Sequence, residues 1–109
     1  MFTRDIHSNK ETIIHALYEL DNSIFLAKKT KEKILCLIIG YGSHGTSHKI
    51  NTAILEKLEE YKRNGKIKDY ILGNKLDIFD LDYQKFKNKE LIPETEKKKK
   101  NPGCVYISL

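Results

Sequence analysis

An α/β domain, with helices packed on a sheet, is the fold class the sequence predicts, and three observations carry the prediction. Segment 34–39 is a six-residue apolar block, too short for a helix and apolar on both faces, as a covered central strand would be. Stretches of helical periodicity flank it on both sides. The chain also closes on an apolar segment, 104–109, which is out of place unless it pairs into the sheet. Alternating strands and helices imply that the first two strands run parallel, joined by a right-handed crossover. The 109 residues suffice for one hydrophobic core, so 1–109 is read as a single domain.

Each element follows in order. Residues 2–7 are short and mixed, extended rather than helical. Ser8-Asn9-Lys10-Glu11 fits the S-x-x-E capping box of a helix start. Behind it Ile13, Leu17, Leu20 and Ile24 recur at helical spacing, with Ile14 widening the stripe, to about residue 28. His15 falls off that stripe and is expected in solvent. Residues 28–33 read as a basic, solvated helix end and turn. After the strand, Gly40-Tyr41-Gly42-Ser43-His44-Gly45 breaks the chain sharply. A second helix over about 47–63 has Ile50, Ile54, Leu58 and Tyr61 as its stripe, and Asn64-Gly65 stops it. Segment 67–72 is a strand. In 73–102 two readings fit: Gly73-Asn74 turning into an extra strand at 75–79, or a short helix within 80–91. Its end, with Lys97, Lys98, Lys99 and Lys100 in a row, is expected to be a mobile loop.

Composition narrows the function classes. Hydrophobic residues at 39% against 32% charged describe a folded domain with a polar surface. No apolar run approaches the ~18 residues of a membrane span, so no membrane partner is expected. Cys36 and Cys104 are too few for a disulfide scaffold and lack C-x-x-C spacing. Buried thiols in a cytoplasmic protein are the simplest reading. Twenty Lys and Arg against 15 Asp and Glu give a net charge of +5, carried almost wholly by lysine. Lysine attracts phosphate as a point charge, without reading bases.

Ligands bind in the crevice at the carboxyl ends of parallel strands, and two segments should meet there. On the first strand, Asp5 and His7 are two apart and share a face, where a carboxylate can orient an imidazole for proton transfer. After the second, Gly40-x-Gly42 lets the backbone turn tightly before a helix whose free N–H groups favour an anion. Both the Walker A ending and the third glycine of a dinucleotide fingerprint are missing, so those functions are excluded. Ser43, His44, Gly45, His48 and Lys49 complete a candidate phosphate cradle. His7, His44 and His48 near one crevice raise the question of a metal site, but Gly45 between His44 and His48 interrupts the helical spacing, and no metal ligand is assigned.

These motifs together resemble the Smr (small MutS-related) domain family. The resemblance rests on Arg4-Asp5-Ile6-His7 before a helix, then Leu37-Ile38-Ile39-Gly40-Tyr41-Gly42-Ser43-His44 running into Lys49-Ile50-Asn51-Thr52-Ala53-Ile54-Leu55. The final strand, Pro102-Gly103-Cys104-Val105-Tyr106-Ile107, completes it. The family carries L-D-x-H on its first strand and G-x-G after its second. Here Arg4 replaces the leucine, Ser8 the glycine that often follows the histidine, and Ile39 the threonine or histidine before G-x-G. The resemblance implies a two-layer βαβαββ-type α+β sandwich with a mixed four-stranded sheet, or one extra strand, and two main helices. It implies an endonuclease that nicks DNA or cleaves RNA, in repair, recombination or ribosome-linked work. Asp5 and His7 would act in cleavage and Gly40 and Gly42 in binding, with a divalent metal such as Mg2+ as the open cofactor question. The alternatives are a non-catalytic nucleic-acid or ribosome-binding module, and a protein-interaction domain tethered by Lys97, Lys98, Lys99 and Lys100.

Overall fold

A computed structural model describes residues 1–7, 12–42 and 45–109. Four strands, β1 (Phe2–Asp5), β2 (Ile34–Ile38), β3 (Asp69–Leu72) and β4 (Cys104–Ser108), form one mixed sheet in the order β1-β2-β4-β3. β1 runs parallel to β2, and β4 returns antiparallel between β2 and β3. Helices α1 (Ile13–Lys29) and α2 (Gly45–Asn64) make the two crossovers. Both crossovers step the same way along the sheet, and connections of one hand then place both helices on one face.

The period-two alternation of β2 explains why its apolar block has no polar side. Leu35, Leu37 and Ile39 face α1 and α2 together with Val105 and Ile107 of β4. Ile34, Cys36 and Ile38 face the other way with Cys104 and Tyr106, against Leu76, Tyr83, Phe86 and Ile92. That second cover is the segment between β3 and β4. It holds 3₁₀ turns at Gly73–Lys75 and Lys89–Leu91 and two short helices, α3 (Leu81–Lys85) and α4 (Glu94–Lys99). Among the described residues, segment 75–79 adds no strand to the sheet. The short helix read as one option within 80–91 is α3, and the end of the segment, read as a loop, forms α4, so the segment is a helical cap. Each fully buried aliphatic or aromatic anchor stabilises by about 1.5–3 kcal/mol, enough to hold elements too short to persist alone.

The run Lys97, Lys98, Lys99 and Lys100 also differs from its expectation as a loop. Lys97 pairs with Glu94 at 3.1 Å, Lys99 with Glu96 at 3.4 Å and Lys100 with Asp77 at 2.9 Å. Lys97 also lies over the Tyr83 ring, 5.7 Å from its centre.

α2 buries the expected stripe of Ile50, Ile54, Leu58 and Tyr61, with Asn51 added. In α1 the buried line is Ala16, Leu20, Ser23, Ile24 and Ala27, while Ile14 is exposed. Small side chains let α1 approach its neighbours closely, which the apolar periodicity did not disclose. The helix starts at Ile13, capped by Thr12, whose hydroxyl accepts the His15 N–H at 3.1 Å. The capping box of Ser8 and Glu11 lies outside the described residues. His15 is half exposed and sits 3.7 Å from Glu19.

Candidate functional site

The register pairs Asp5 with Ile38, so the carboxyl ends of β1 and β2 lie side by side. One further bond, from Ile6 N–H to the Ile38 carbonyl at 3.0 Å, carries the pairing past the strand end and delivers His7 to the edge. Asp5 and His7 are both exposed. The Asp5 carboxylate accepts the backbone N–H of His7 at 2.9 Å, closing a tight turn that fixes where the imidazole emerges.

Across the edge, Gly40 and His7 meet. A β-carbon on Gly40 would fall 2.1 Å from His7 Cδ2 and 2.7 Å from Nε2, well inside contact distance. Gly40 also has φ +78°, a conformation that side chains disfavour. Its own N–H is not free, because Gly103 O accepts from Ile39 N at 2.8 Å and from Gly40 N at 3.1 Å. Gly40 therefore shapes the turn and admits the ring, and its amide is committed to β4. The N–H groups of Tyr41 and Gly42 meet no acceptor among the described residues.

Asn51 is the residue that the motif analysis missed. It is buried on α2, and its amide donates to the Gly40 carbonyl at 3.1 Å. A β-carbon on Gly42, at φ +58°, would lie 2.1 Å from Asn51 Nδ2. The second Asn51 amide atom, Oδ1, is buried with no partner among the described residues. A polar residue beside Ile50, within an otherwise apolar stripe, was the available signal. Asn51 ties the glycine turn to the helix.

Gly45 opens α2, and His48 and Lys49 stand exposed in its first turn, near the partial positive charge of the helix start. Ser43 and His44 lie outside the described residues. The structure therefore brings together Asp5, His7, Gly40, Gly42 and the α2 start at one edge. Among the described residues, no group of three or more His, Cys, Asp or Glu side chains is placed to hold a metal ion.

Arg4 points from β1 toward α1. Its guanidinium bonds Glu19 at 3.1 Å and the buried Ser23 hydroxyl at 3.3 Å, so a position facing the helices carries a partnered cation. Beneath the cap, burial pushes the Cys36 thiol up to about 12, with Cys104 beside it adding to the shift. Burial also raises Cys104, with smaller contributions that include the Asp5 carboxylate. Both thiols are thus kept protonated near neutral pH, as inert packing groups.

A mixed four-stranded sheet with two crossover helices on one face, and a glycine turn at the end of its second strand, defines an α+β domain with its candidate site at a strand edge. The chain has an Smr-like fold. It is similar to the crystal structure of the Smr domain of Thermus thermophilus MutS2, with a TM-score of 0.61 and 19% identity, over 100% of this chain and 98% of that one. No protein-family model and no curated protein sequence matches the chain. Among the described residues, no helix is long and apolar enough to cross a membrane.

Proposed function

We propose that this domain binds nucleic acid through its phosphate backbone and cleaves it at the His7–Gly40 edge. The observation that carries the reading is the approach of the His7 ring to Gly40. It supports reading the imidazole as a proton-transfer group beside a turn and helix start of the kind that binds anions. In this reading His7 exchanges a proton with the attacking or leaving oxygen. The N–H groups of Tyr41 and Gly42, with His48 and Lys49, stabilise the charge that develops on the phosphate. Ser43, His44 and Gly45 complete the cradle as the sequence suggests. Asp5 acts through the backbone of His7. The likeness to an Smr domain supports the nucleic-acid class, and the basic net charge of +5 agrees with it.

A second reading, a binding module without turnover that serves nucleic acid or the ribosome, is favoured by one observation. The Asp5 carboxylate is engaged by a backbone N–H rather than by the ring. Incubation with supercoiled DNA and with structured RNA, each with and without Mg2+ and a chelator, separates the two. Cleavage of either substrate that is lost in His7→Ala supports the enzyme. Binding of both without cleavage in any condition supports the module.

A further inference from the structure

The candidate site lies at one edge of the sheet, and a separate cluster of positive charge lies at the other. Lys28, Lys29, Lys31 and Lys33 belong to the end of α1 and the turn into β2. Lys62, Arg63, Lys66 and Lys68 belong to the end of α2 and the turn into β3. All eight are exposed. The two turns touch, since Lys28 Nζ donates to the Lys66 carbonyl at 2.5 Å. Nearby carboxylates neutralise only part of this charge. Asp69 pairs with Lys62 at 3.1 Å and Asp21 with Lys66 at 3.6 Å, while Glu32 is paired with the terminal amine at 3.2 Å and not with these cations. Lys29, Lys31, Lys33, Arg63 and Lys68 have no carboxylate partner among the described residues.

Cations at a helix C-terminus offset its dipole, but that account reaches only the last turn of each helix and not Lys33 or Lys68. Lys31 adds a second, independent observation. Both helices end in the same hydrogen-bonded motif. In α2 the motif joins Gly65 N to Lys62 O at 3.3 Å and Lys66 N to Tyr61 O at 2.9 Å, with Gly65 at φ +83°. In α1 it joins Lys31 N to Lys28 O and Glu32 N to Ala27 O, both at 3.0 Å, and a lysine occupies the left-handed position at φ +63°. Glycine suits that position and an L side chain is strained in it. A lysine kept in this strained position adds one more exposed cation to the basic edge.

We propose that this edge, opposite the candidate site, is a second nucleic-acid surface that grips the phosphates of a duplex. The proposal rests on the nucleic-acid reading above. The two groups of cations, at the ends of α1 and α2 and in the turns that follow them, meet through Lys28 and Lys66 and so form one continuous basic surface, the kind of surface that holds phosphates without reading bases. A domain gripping a duplex here would hold a separate segment of the polymer at the His7 edge. An anionic membrane is the competing partner, because Phe25 stands exposed one turn back on α1.

The test is fluorescence anisotropy with a labelled duplex of about 20 base pairs, titrated across salt for wild type, Lys31→Gly and the quadruple variant K29Q/K31G/K33Q/K68Q. Lys31→Gly should melt at a higher temperature than wild type and yet bind the duplex more weakly, a split that a purely structural lysine would not produce. The quadruple variant should lose about tenfold or more in affinity at low salt, and its log K against log salt slope should fall by ~0.9 for each phosphate contact removed. An unchanged slope and affinity in the quadruple variant overturns the proposal. If Gly42→Ala abolishes duplex binding while the quadruple variant does not, this surface fails and the His7 edge stands. Wild-type protein that binds no duplex at any salt overturns both. Phosphatidylserine vesicles bound more tightly than duplex, and released by the quadruple substitution, assign the edge to membrane and overturn the nucleic-acid assignment.

Discussion

The imidazole of His7 occupies the space that a β-carbon on Gly40 would fill, 2.1 Å from its Cδ2. Two strand ends that the sequence separates by more than thirty residues, already paired through Ile6 and Ile38, can approach this closely because Gly40 carries no side chain. Gly40→Ala adds the methyl and also forces a side chain into φ +78°. The fold should lose ~1–2 kcal/mol from the backbone alone, since the ring can swing outward into solvent. Cleavage should fall much further, because the displaced ring leaves the turn. Urea denaturation read beside a cleavage rate checks this; equal losses in both would mean the ring position is irrelevant.

Asn51 is expected to matter for the turn rather than for the helix. Asn51→Ala removes the donor to the Gly40 carbonyl and relieves the buried Oδ1, so its cost should be about 1–3 kcal/mol. Asn51→Leu keeps the volume but sets a branched apolar group where Gly42 packs closely, and should cost at least as much. Hydrogen exchange at Ile39 and Gly40, whose N–H groups donate to the Gly103 carbonyl, reads the local effect, which should exceed any change within α2.

How much of this was legible in the sequence depends on how each residue is buried. β2 was readable because both its faces are covered, which leaves an unbroken apolar run from Ile34 to Ile39. α2 was readable because its stripe is built from large side chains. α1 was misread in detail because Ala16, Ser23 and Ala27 carry its contact, and small residues leave little trace in an apolar pattern. The cap was readable only in part: α3 falls within the short helix read as one option for 80–91, but α3 and α4 have five and six residues, less than two turns each, so no period can decide between the readings. Its anchors, Leu76, Tyr83, Phe86 and Ile92, are single buried residues in a charged segment. At the site, glycine spacing and the Asp-x-His pair pointed to the edge. That Asp5 holds the His7 backbone and not its ring depends on a turn that residue identities do not specify.

The Arg4 pair offers a test of a half-buried charge at a position facing the helices. Arg4→Leu leaves Glu19, which is 14% exposed, without its closest cation. It should destabilise the domain by about 1–2 kcal/mol, less than the ~3–5 kcal/mol cost of breaking a fully buried pair, because Arg4 is 31% exposed. The double variant Arg4→Leu with Glu19→Leu removes both charges and should recover most of that loss. Thermal melting of the two variants decides, and a double variant no better than the single one would show that the pair is not the cause.

Stability should fall in alkali. Burial holds Cys36 up at about 12 against an ordinary 9.0. Burial, then the Glu59 carboxylate that accepts from its hydroxyl, holds Tyr70 at about 12 against 10.0. Each folded value lies above the unfolded one, so the contribution is complete below about pH 9 and is lost as pH rises toward 12. Denaturation midpoints should be level from neutrality to about pH 8 and drop steadily beyond it. Tyr70→Phe should flatten part of the fall, and an unchanged profile would remove Tyr70 as a contributor.

The roles of Asp5 and His7 in cleavage separate by the choice of substitution. If His7 transfers a proton, His7→Ala should lose ~10²–10⁴-fold in rate, with binding within a few-fold because phosphate contacts dominate affinity. Asp5→Asn keeps an acceptor oxygen where the His7 N–H donates, so the turn and the ring position survive. It should therefore cost much less rate than His7→Ala. Asp5→Ala removes that acceptor, frees the turn and should approach the His7→Ala loss. Single-turnover cleavage for the three variants supplies the ranking. If Asp5→Asn is as damaging as His7→Ala while its fold is intact, the carboxylate charge itself is needed, and Asp5 then acts on the imidazole during the reaction rather than through the backbone bond.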